Sequence, residues 1–523
     1  MDDNLFYDVV IIGAGIGGLT AGNLLVKRGL NVCILEKNNR AGGYCVNFKR
    51  KDFRFDTNIH FINGCGKNGM VFQILREMGV EKQIEFIKLN NVFHWIDIKN
   101  GIDIKVPVSL VDHIEKLKEN FPDEADNISK FYENSKKIII WLMNYSIKNK
   151  FGRFIFILRH FRTFLKFLNL LFKPISKVID KYISDDACKE VMTALSISFG
   201  LFREEMSALT FLMAELNYRL EGAYYPKGGA GELTRVLINN YINQGGKINY
   251  NSEVTTLIYE KNEIIGLKAL SGNKESIYKA KVFLSDCDIT NLVTNLCPPG
   301  IFPKKYLNRI KEGEASYSSI IAFIGLNIDL RNDYNINDYE IWHFNSEYKN
   351  KEDIENSFKT MNLERIPIEM TTIYSNIDES CCPKGKSVVS VIYYAKYRLF
   401  NDVKNSLNNK FKNYKQLKKY ITSQLINIAA KALNIENLEQ YIEVIEVATP
   451  LTLKKFTDNR EGAHLGWKMD VENGVKNQIS TKTPVDNLFL TGQWVKFGGS
   501  VAAVMLTSFE ATKRITKFLK LKN

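Results

Sequence analysis

The residues of this chain whose types and spacing point most directly to chemistry are glycines and one acid near the N-terminus. Gly13, Gly15 and Gly18 form a Gly-x-Gly-x-x-Gly pattern, and Glu36 follows the next apolar run. The first glycine of such a pattern permits a tight turn, the second lets the backbone approach a diphosphate, and the third lets a helix pack close to a strand. A carboxylate placed like Glu36 accepts hydrogen bonds from both hydroxyls of a ribose. This pattern predicts a bound dinucleotide.

The elements that must position these residues occur in the right order. Residues 7–12 are a short β-branched, apolar run, which predicts a parallel strand buried on both faces. Residues 16–28 have helical apolar spacing, and residues 31–35 predict a second strand that ends at Glu36. The N-terminus of the helix presents free N–H groups and a partial positive charge to phosphates. This context favours a dinucleotide site over a glycine-rich turn that binds nothing.

A second glycine pair decides between the possible dinucleotides. Arg40, Gly42 and Gly43 follow Glu36 closely and form an Arg-x-Gly-Gly motif. The motif resembles the signature of the flavoprotein group that contains amine oxidases, phytoene desaturases and GDP-dissociation inhibitors. In that group the paired glycines let the chain pass against the flavin. The resemblance therefore implies FAD rather than NAD.

Two later blocks fit the same interpretation. Residues 222–233 form another glycine cluster before an amphipathic helix, and the strand with Val254 then begins a hairpin. In flavoproteins of this type the backbone of that valine meets the adenine. Near the C-terminus, Ser500 is a plausible N-cap of a helix over residues 501–518. The N-terminus of this helix can stabilise the negative charge of a reduced flavin.

These blocks together resemble the phytoene desaturase, carotenoid isomerase and retinol saturase family. Residues 53–61, which read Phe-Arg-Phe-Asp-Thr-Asn-Ile-His-Phe, look most like the retinol saturase branch. The family implies FAD held without a covalent link and a long, lipophilic polyene substrate, such as a carotenoid or a retinoid, that comes from a membrane. It also implies saturation, desaturation or isomerisation at carbon–carbon double bonds. The chain departs from many relatives at Gln493, where they carry an acid.

Composition places the chain among ordinary globular proteins. Its 523 residues are 45% hydrophobic and 25% charged, and this length is enough for two or three domains. The net charge of +13 favours an anionic partner. The cysteines form no Cys-x-x-Cys motif and the histidines show no ligand spacing, which predicts free thiols and no metal site. Because no signal-peptide pattern and no apolar run of about 18 residues occur, we expect a cytoplasmic protein.

The segment 144–178 is basic and aromatic. It contains no Asp or Glu, and phenylalanines are frequent within residues 151–172. On one helix at about 100° per residue, Arg159, Arg162 and Lys166 form a narrow basic stripe on an otherwise apolar surface. This pattern is typical of a helix at a bilayer interface, so we predict peripheral docking to an anionic membrane. A helix buried between domains is the alternative, and the segment is too apolar for a nucleic-acid site.

We therefore predict an α/β protein in which a Rossmann-like FAD-binding domain of the GR2 type is interleaved with an α+β substrate domain. The predicted FAD-binding domain is discontinuous and comprises residues 1–70, 220–290 and 445–523. The predicted substrate domain comprises residues 71–219 and 291–444, with 144–178 as its helical membrane-docking region. Residues from about 300 to 450 carry no motif that we can tie to chemistry.

The predicted site residues follow from these motifs and from the resemblance. His60 is the candidate for proton transfer, because an imidazole titrates near neutrality, and a buried wall histidine is the alternative. Tyr44, Lys227 and Trp494 are candidates beside the flavin ring and the substrate. The predicted cofactor-binding residues are Gly13, Gly15, Ile16, Gly17, Gly18, Glu36, Lys37, Arg40, Gly42, Gly43, Val254, Gly492, Gln493, Gly499, Ser500 and Val501.

Several questions stay open at this point. A flavin amine or porphyrinogen-type oxidase shares the FAD blocks, and a non-enzymatic, GDI-like lipid-binding module would share the fold. The intact nucleotide motifs argue against the second of these. No second Gly-x-Gly-x-x-Gly for NADPH is found, so the electron partner is predicted to be external: oxygen, a quinone, or NAD(P)H through a separate reductase. The identity of the polyene, the direction of reaction and the oligomeric state are not readable.

Overall fold

A computed structural model describes residues 6–146, 150–345, 368–401, 411–476 and 478–522, together with single positions 356, 363 and 366. The strands are β1 (Phe6–Ile12), β2 (Val32–Leu35), β3 (Asn47–Arg50), β4 (Phe53–Asp56), β5 (Ile62–Asn63), β6 (Phe86–Lys88), β7 (Asn91–Asp97), β8 (Ile102–Pro107), β9 (Ala223–Pro226), β10 (Lys247–Asn249), β11 (Glu253–Glu260), β12 (Glu263–Ser271), β13 (Lys274–Ser285), β14 (Ser318–Leu326), β15 (Glu340–Phe344), β16 (Ile368–Ile373), β17 (Ser387–Ala395), β18 (Ile442–Ala448) and β19 (Leu488–Leu490).

The α-helices lie between these strands in the chain, and α3 to α9 follow one another between β8 and β9. They are α1 (Ile16–Val26), α2 (Met70–Met78), α3 (Leu110–Asn120), α4 (Ala125–Ser146), α5 (Lys150–Arg159), α6 (Phe161–Leu171), α7 (Ser176–Ile179), α8 (Asp186–Thr193), α9 (Ala208–Glu221), α10 (Ala230–Asn243), α11 (Ile289–Asn291), α12 (Lys304–Glu312), α13 (Leu330–Tyr334), α14 (Arg398–Asn401), α15 (Tyr414–Ala432), α16 (Pro450–Thr457) and α17 (Val501–Lys522).

The first large sheet has the strand order β10-β2-β1-β13-β12-β11, with β19 paired to β13. Strands β10, β2, β1, β13 and β19 run parallel, whereas β12 and β11 form the hairpin predicted after Val254. Ile12 lies opposite both Leu35 and Ser285, so the carboxyl ends of the three central strands meet at one edge. Ligands of open α/β sheets bind at this edge, where the chain leaves β1 in the middle of the sheet.

Helix α1 is held rigidly because it is buried along its whole length. It packs between α10 and α17, and all of its residues from Ile16 to Val26 are buried. A helix that is apolar on all sides can only be stable inside the protein. Its N-terminus therefore has a fixed position at the carboxyl edge of the first sheet.

The second large sheet has the order β18-β14-β17-β16-β15-β7-β8. Glu340 on β15 lies opposite Thr372 on β16, and Trp342 lies opposite Met370. Because side chains two residues apart point to the same face of a strand, these four side chains share one face of the sheet. Met370 in turn lies opposite Ile392 of β17, which extends this face toward the middle of the sheet.

The basic, aromatic segment is not one continuous helix, contrary to the prediction. The chain leaves the helical conformation at His160, with φ −119° and ψ 36°, and this separates α5 from α6. The reason is packing on α4, where the buried Trp141 ring lies within about 6 Å of Phe156 on α5 and of Phe164 and Phe167 on α6. Two short helices can both pack against this indole, and a single straight helix cannot. Residues 147–149 of the predicted docking region lie outside the described residues.

Candidate active site

A cleft runs from the carboxyl edge of the first sheet to the face of the second sheet that carries Glu340 and Trp342. Its empty volume is about 1830 Å³, open solvent at the mouth included. The first sheet and its loops contribute Gly13, Gly15, Ile16, Gly17, Glu36, Lys37, Gly42, Gly43, Val254, Asp286, Gly492, Gln493, Gly499, Ser500 and Val501. The opposite end is lined by Tyr44, His60, Phe61, Phe199, Tyr218, Glu340, Trp342, Met370, Ile392, Tyr394 and His464.

The N-terminus of α1 opens into the first end of the cleft. Gly15 precedes the helix and offers no side chain of its own to cap the first N–H groups of α1. The N–H of Gly18 donates to a carboxyl oxygen of Asp286, at 2.7 Å, and Asp286 follows β13 directly. Burial, opposed by the Gly18 hydrogen bond and reinforced by the charge of Glu36, raises the pKa of Asp286 to about 7. The carboxyl oxygen of Asp286 therefore occupies the position at which a helix N-terminus binds an anion.

Glu36 occupies the predicted position at the end of β2. One of its carboxylate oxygens accepts the N–H of Ala14 at 2.8 Å, and the other accepts the N–H of Asn38 at 2.9 Å. Val254 and Ser252 line the cleft on the neighbouring side, and the Ser252 N–H donates to the backbone oxygen of Glu36. Because both carboxylate oxygens already have backbone donors, the orientation of this acid is fixed before a ribose arrives.

The middle of the cleft is formed by the turn after β2 and by the C-terminal segment. Gly42 and Gly43 line it from one side, and the N-terminus of α17 lines it from the other. Ser500 caps α17, as predicted, since its hydroxyl accepts the N–H of Ala503 at 3.2 Å. The buried Nε2 of Gln493 has no hydrogen-bond partner among the described residues. A buried donor without an acceptor, in the wall of a cleft, fits a ligand that brings an acceptor.

The turn that carries His60 is organised by the buried Asp56 at the end of β4. Asp56 accepts the N–H groups of Ile59, at 3.3 Å, and of Ala230, at 2.6 Å, and the hydroxyl of Tyr225 at 3.2 Å. Burial raises the pKa of Asp56, and these donors oppose the increase. The turn thereby connects the two-stranded sheet of β3 and β4 to α10 and presents His60 to the second large sheet.

His60 meets a buried acid across the cleft wall. Its Nδ1 lies 3.0 Å from the nearer carboxylate oxygen of Glu340 and 2.6 Å from the hydroxyl of Thr372. Burial lowers the pKa of His60, but the charge and hydrogen bond of Glu340 outweigh it, so the pKa is raised above its ordinary value. The pairing with Glu340 therefore favours the protonated form of the imidazole.

A second histidine of the cleft behaves in the opposite way. His464 lies between the rings of Tyr44 and Tyr394, at centroid distances of 6.2 and 5.8 Å, and its Nδ1 is 3.0 Å from the hydroxyl of Ser319. Burial and the nearby charge of His60 lower its pKa to about 3. At one end of the cleft, the pKa of one histidine is therefore raised and that of its neighbour is lowered.

Several of the predicted site residues lie outside the cleft surface. Lys227 is exposed and pairs with Glu85, which draws its side chain away from the cleft. Trp494 is buried behind the wall, where its indole N–H donates to Asn459. Arg40 is exposed, with its guanidinium 5.7 Å from the centre of the Phe456 ring. The cations Arg159, Arg162 and Lys166 are exposed on α5 and α6.

Other residues of the site were missed in the sequence. Glu340 and Thr372 lie in the stretch of the chain that carries no recognisable motif, and they meet only through the pairing of β15 with β16. His464 and Asp286 likewise come from the far ends of two other elements. A histidine with an acid more than two hundred residues away leaves no local signal. Asp286, in contrast, comes shortly after the apolar run 282–284, and this signal could have identified it.

A family model described as flavin-containing amine oxidoreductase matches residues 16–373, which is more than half of the chain. The chain belongs to this family of flavin enzymes. The predicted fold class, an α/β protein with a Rossmann-like nucleotide-binding part and an interleaved α+β part, is confirmed by the family and by the structure, in which the second large sheet is mixed.

The chain is similar to two kinds of curated protein over most of its length. It is 26% identical to all-trans-retinol 13,14-reductase of Danio rerio, covering 95% of this chain and 84% of that protein. It is 22% identical to chloroplastic prolycopene isomerase of Daucus carota, covering 98% and 81%. Among solved structures it resembles an oxidoreductase from Methanosarcina mazei, with a TM-score of 0.62, 16% identity and coverage of 97% and 99%. That likeness shows the fold.

Proposed function

We propose that this protein is an FAD-dependent oxidoreductase that acts on carbon–carbon double bonds of a lipophilic polyene, such as a carotenoid or a retinoid. The observation that carries the proposal is the continuity of the cleft, from the N-terminus of α1 to an apolar end on the second sheet. The similar proteins are named for reduction of a retinol and isomerisation of a prolycopene, which supports the same substrate class.

The residues of the first end fit FAD. The N-terminus of α1 would hold the diphosphate, Glu36 the ribose, and the unpartnered amide of Gln493 an acceptor nearer the ring. The N-terminus of α17 would stabilise negative charge on the ring. Bound there, the flavin would exchange a hydride with a carbon of the substrate. No second nucleotide motif accompanies this one, so the proposal includes an external electron partner, either a quinone or a reduced nicotinamide.

The other end of the cleft fits an apolar chain. Trp342, Met370 and Ile392 lie side by side on the second sheet, and Phe61 and Tyr218 face them as an aromatic pair 5.2 Å apart. These side chains would bind the polyene and exclude water from the reacting carbons.

The charges of the cleft argue against an amine substrate. An ammonium group in this end would lie beside His60, whose cationic form Glu340 favours. The carboxylate that could neutralise the ammonium group, Glu340, is already occupied by three donors. A carbon chain without charge carries no such penalty. We therefore favour the polyene over the amine or porphyrinogen-type oxidase.

The experiment uses the purified holoprotein under anaerobic conditions. Chemically reduced enzyme is mixed with all-trans-retinol, lycopene isomers or phytoene, and oxidised enzyme is mixed with the same set. Flavin oxidation with a blue shift of the polyene spectrum indicates saturation, flavin reduction with a red shift indicates desaturation, and a new isomer without net flavin change indicates isomerisation. Oxidation of an amine such as putrescine, with no change in any polyene, would overturn the proposal.

We also propose that α5 and α6 dock the protein on an anionic membrane. Phe151, Phe154 and Leu158 on α5 are each at least 60% exposed, and Phe161, Leu165 and Phe172 are about half exposed. Single apolar residues are common on surfaces, but a contiguous cluster marks an interaction site. Helix α6 packs against α9, and Tyr218 of α9 lines the cleft, which would bring substrate from the bilayer to the site. None of the helices described here has the length and apolarity needed to cross a bilayer.

Vesicle co-sedimentation tests this docking. Changing Arg159, Arg162 and Lys166 together to Glu should reduce binding to acidic vesicles by at least about tenfold, since each cation near such a surface contributes roughly 1 kcal/mol. The matched control changes three exposed lysines beside or on α15, Lys412, Lys415 and Lys419, to Glu. Equal binding by both triple variants would contradict the docking face.

A further inference from the structure

Glu340 is a buried acid with an unusually complete set of partners. Its side chain is 1% exposed. One oxygen accepts the indole N–H of Trp342 at 2.8 Å, the other accepts the hydroxyl of Thr372 at 2.7 Å, and both face Nδ1 of His60 at 3.0–3.1 Å. A buried carboxylate is tolerated only when its oxygens are satisfied in this way.

The hydroxyl of Thr372 determines which ring nitrogen of His60 carries a proton. An ionised carboxylate only accepts, so the Thr372 hydroxyl must donate its hydrogen to Glu340. Toward Nδ1 of His60, 2.6 Å away, the same oxygen can then only accept. Nδ1 must therefore be protonated, because both Glu340 and Thr372 present acceptors to it.

The remaining nitrogen, Nε2, has no hydrogen-bond partner among the described residues, and His60 lines the cleft. The backbone is fixed as well, because the hydroxyl of Tyr339 donates to the carbonyl oxygen of His60. Nδ1 of His60 is thus hydrogen-bonded within the protein, and Nε2 is available to a ligand.

The charged groups around His60 favour its cationic form. Glu340 on β15 and Asp56 at the end of β4 both raise its pKa, against the effect of burial. Tyr374, which follows β16, has its ring 6.3 Å away, and its pKa is raised well above its ordinary value by burial, so it stays neutral. His464, across the cleft, is neutral because its own pKa is lowered.

We infer that Glu340, with Thr372, is the positioning residue of His60 and makes it a proton donor whose Nε2–H is directed at the substrate. This inference rests on the proposed function for its substrate. In the step, the Nε2–H bond breaks and a C–H bond forms at one carbon of the double bond; a reduced flavin, when bound, would supply a hydride to the other carbon. The imidazolium becomes a neutral imidazole, Glu340 stays a carboxylate, and an external reduced nicotinamide would supply the two electrons. Water returns the proton to His60 after the product leaves.

The test measures the proton affinity of His60 directly, by NMR of ¹⁵N-histidine-labelled holoprotein over a pH series. Glu340→Gln keeps the shape and removes the charge, so the pKa of His60 should fall by at least one unit, a tenfold loss of proton affinity. Thr372→Val should shift it less. Glu340→Asp retains the charge and should restore most of the wild-type value. Flavin content and thermal unfolding show which variants are folded, and Thr372→Val replaces Glu340→Gln if the latter does not fold.

The kinetic readout is the pH profile of polyene turnover. With Glu340→Gln, the alkaline limb of kcat/KM should move to lower pH, and the value at pH 7.5 should fall about tenfold with KM nearly unchanged. A His60 titration that is the same in wild type, Glu340→Gln and Thr372→Val would overturn the inference. A shifted titration without turnover of any polyene would instead overturn the proposed function and leave the pairing of His60 with Glu340 intact.

Discussion

Replacement of Gly18 by Ala should weaken binding of FAD, although it places a better helix former in α1. A Cβ atom at Gly18 would lie 2.1 Å from the carbonyl oxygen of Gly13. Real Cβ atoms essentially never approach another atom within 3.0 Å, so the first turn of α1 and the glycine loop must separate by about 0.9 Å. Both sides of this contact are backbone, and neither can rotate away as a side chain can.

The size of the effect follows from the hydrogen bonds that the loop provides. Helix propensity alone would stabilise the alanine variant by about 1 kcal/mol. A displacement of about 0.9 Å misaligns one or two backbone N–H groups with the diphosphate, and each charge-assisted hydrogen bond contributes about 1.5–3 kcal/mol. The dissociation constant of FAD should therefore rise by about 10- to 100-fold.

The assay is quenching of FAD fluorescence on addition of apoprotein, with Gly22→Ala as the matched control. Gly22 lies one turn further along the same helix, and its Cβ would meet only side-chain atoms of Ile34 and Tyr241, at 3.0 Å. These atoms can move by a few tenths of an ångström, so this variant should bind FAD within about threefold of wild type. Equal affinity of Gly18→Ala and wild type would refute the placement of the diphosphate at α1.

Two further predictions concern groups that titrate in the cleft. Since burial raises the pKa of Asp286 to about 7, its carboxylate should repel the diphosphate above pH 7, and FAD affinity should fall by up to about tenfold per pH unit. Asp286→Asn should abolish this pH dependence. Parallel curves of FAD affinity against pH for wild type and Asp286→Asn would contradict the prediction. Because the folded-state pKa of His464 is depressed to about 3, below about 6.5 in the unfolded chain, stability is present above pH 6.5 and is lost as pH falls toward 3. Urea unfolding of the apoprotein should show a loss of up to about 1.4 kcal/mol per pH unit from this residue, which His464→Gln removes.

The parts of the fold that depend on neighbouring residues were predictable from the sequence. The strand before Gly13, the helix that begins at Ile16, the acid at the end of β2 and the cap at Ser500 all lie where their local patterns place them. Each rests on a rule that acts within a few residues, such as turn formation by glycine or capping by serine.

The parts that depend on distant packing were not predictable. The break at His160 arises because Trp141 of another helix must contact both α5 and α6. Glu340 becomes a partner of His60 only through the register of β15 on β16, which no spacing in the chain reveals. Lys227 likewise pairs with Glu85, a residue far away in the sequence, and this ion pair holds its side chain away from the cleft.

The central claim is that a flavin dinucleotide is seated in the cleft between α1 and α17. The most direct measurement is denaturation of the freshly purified protein, followed by chromatographic identification and quantification of the released cofactor. The account predicts that the purified protein releases FAD without hydrolysis of a covalent link. Protein that has been reconstituted with FAD should release about one molecule per chain. A colourless protein that takes up no FAD, or one that releases a nicotinamide dinucleotide instead, would contradict it.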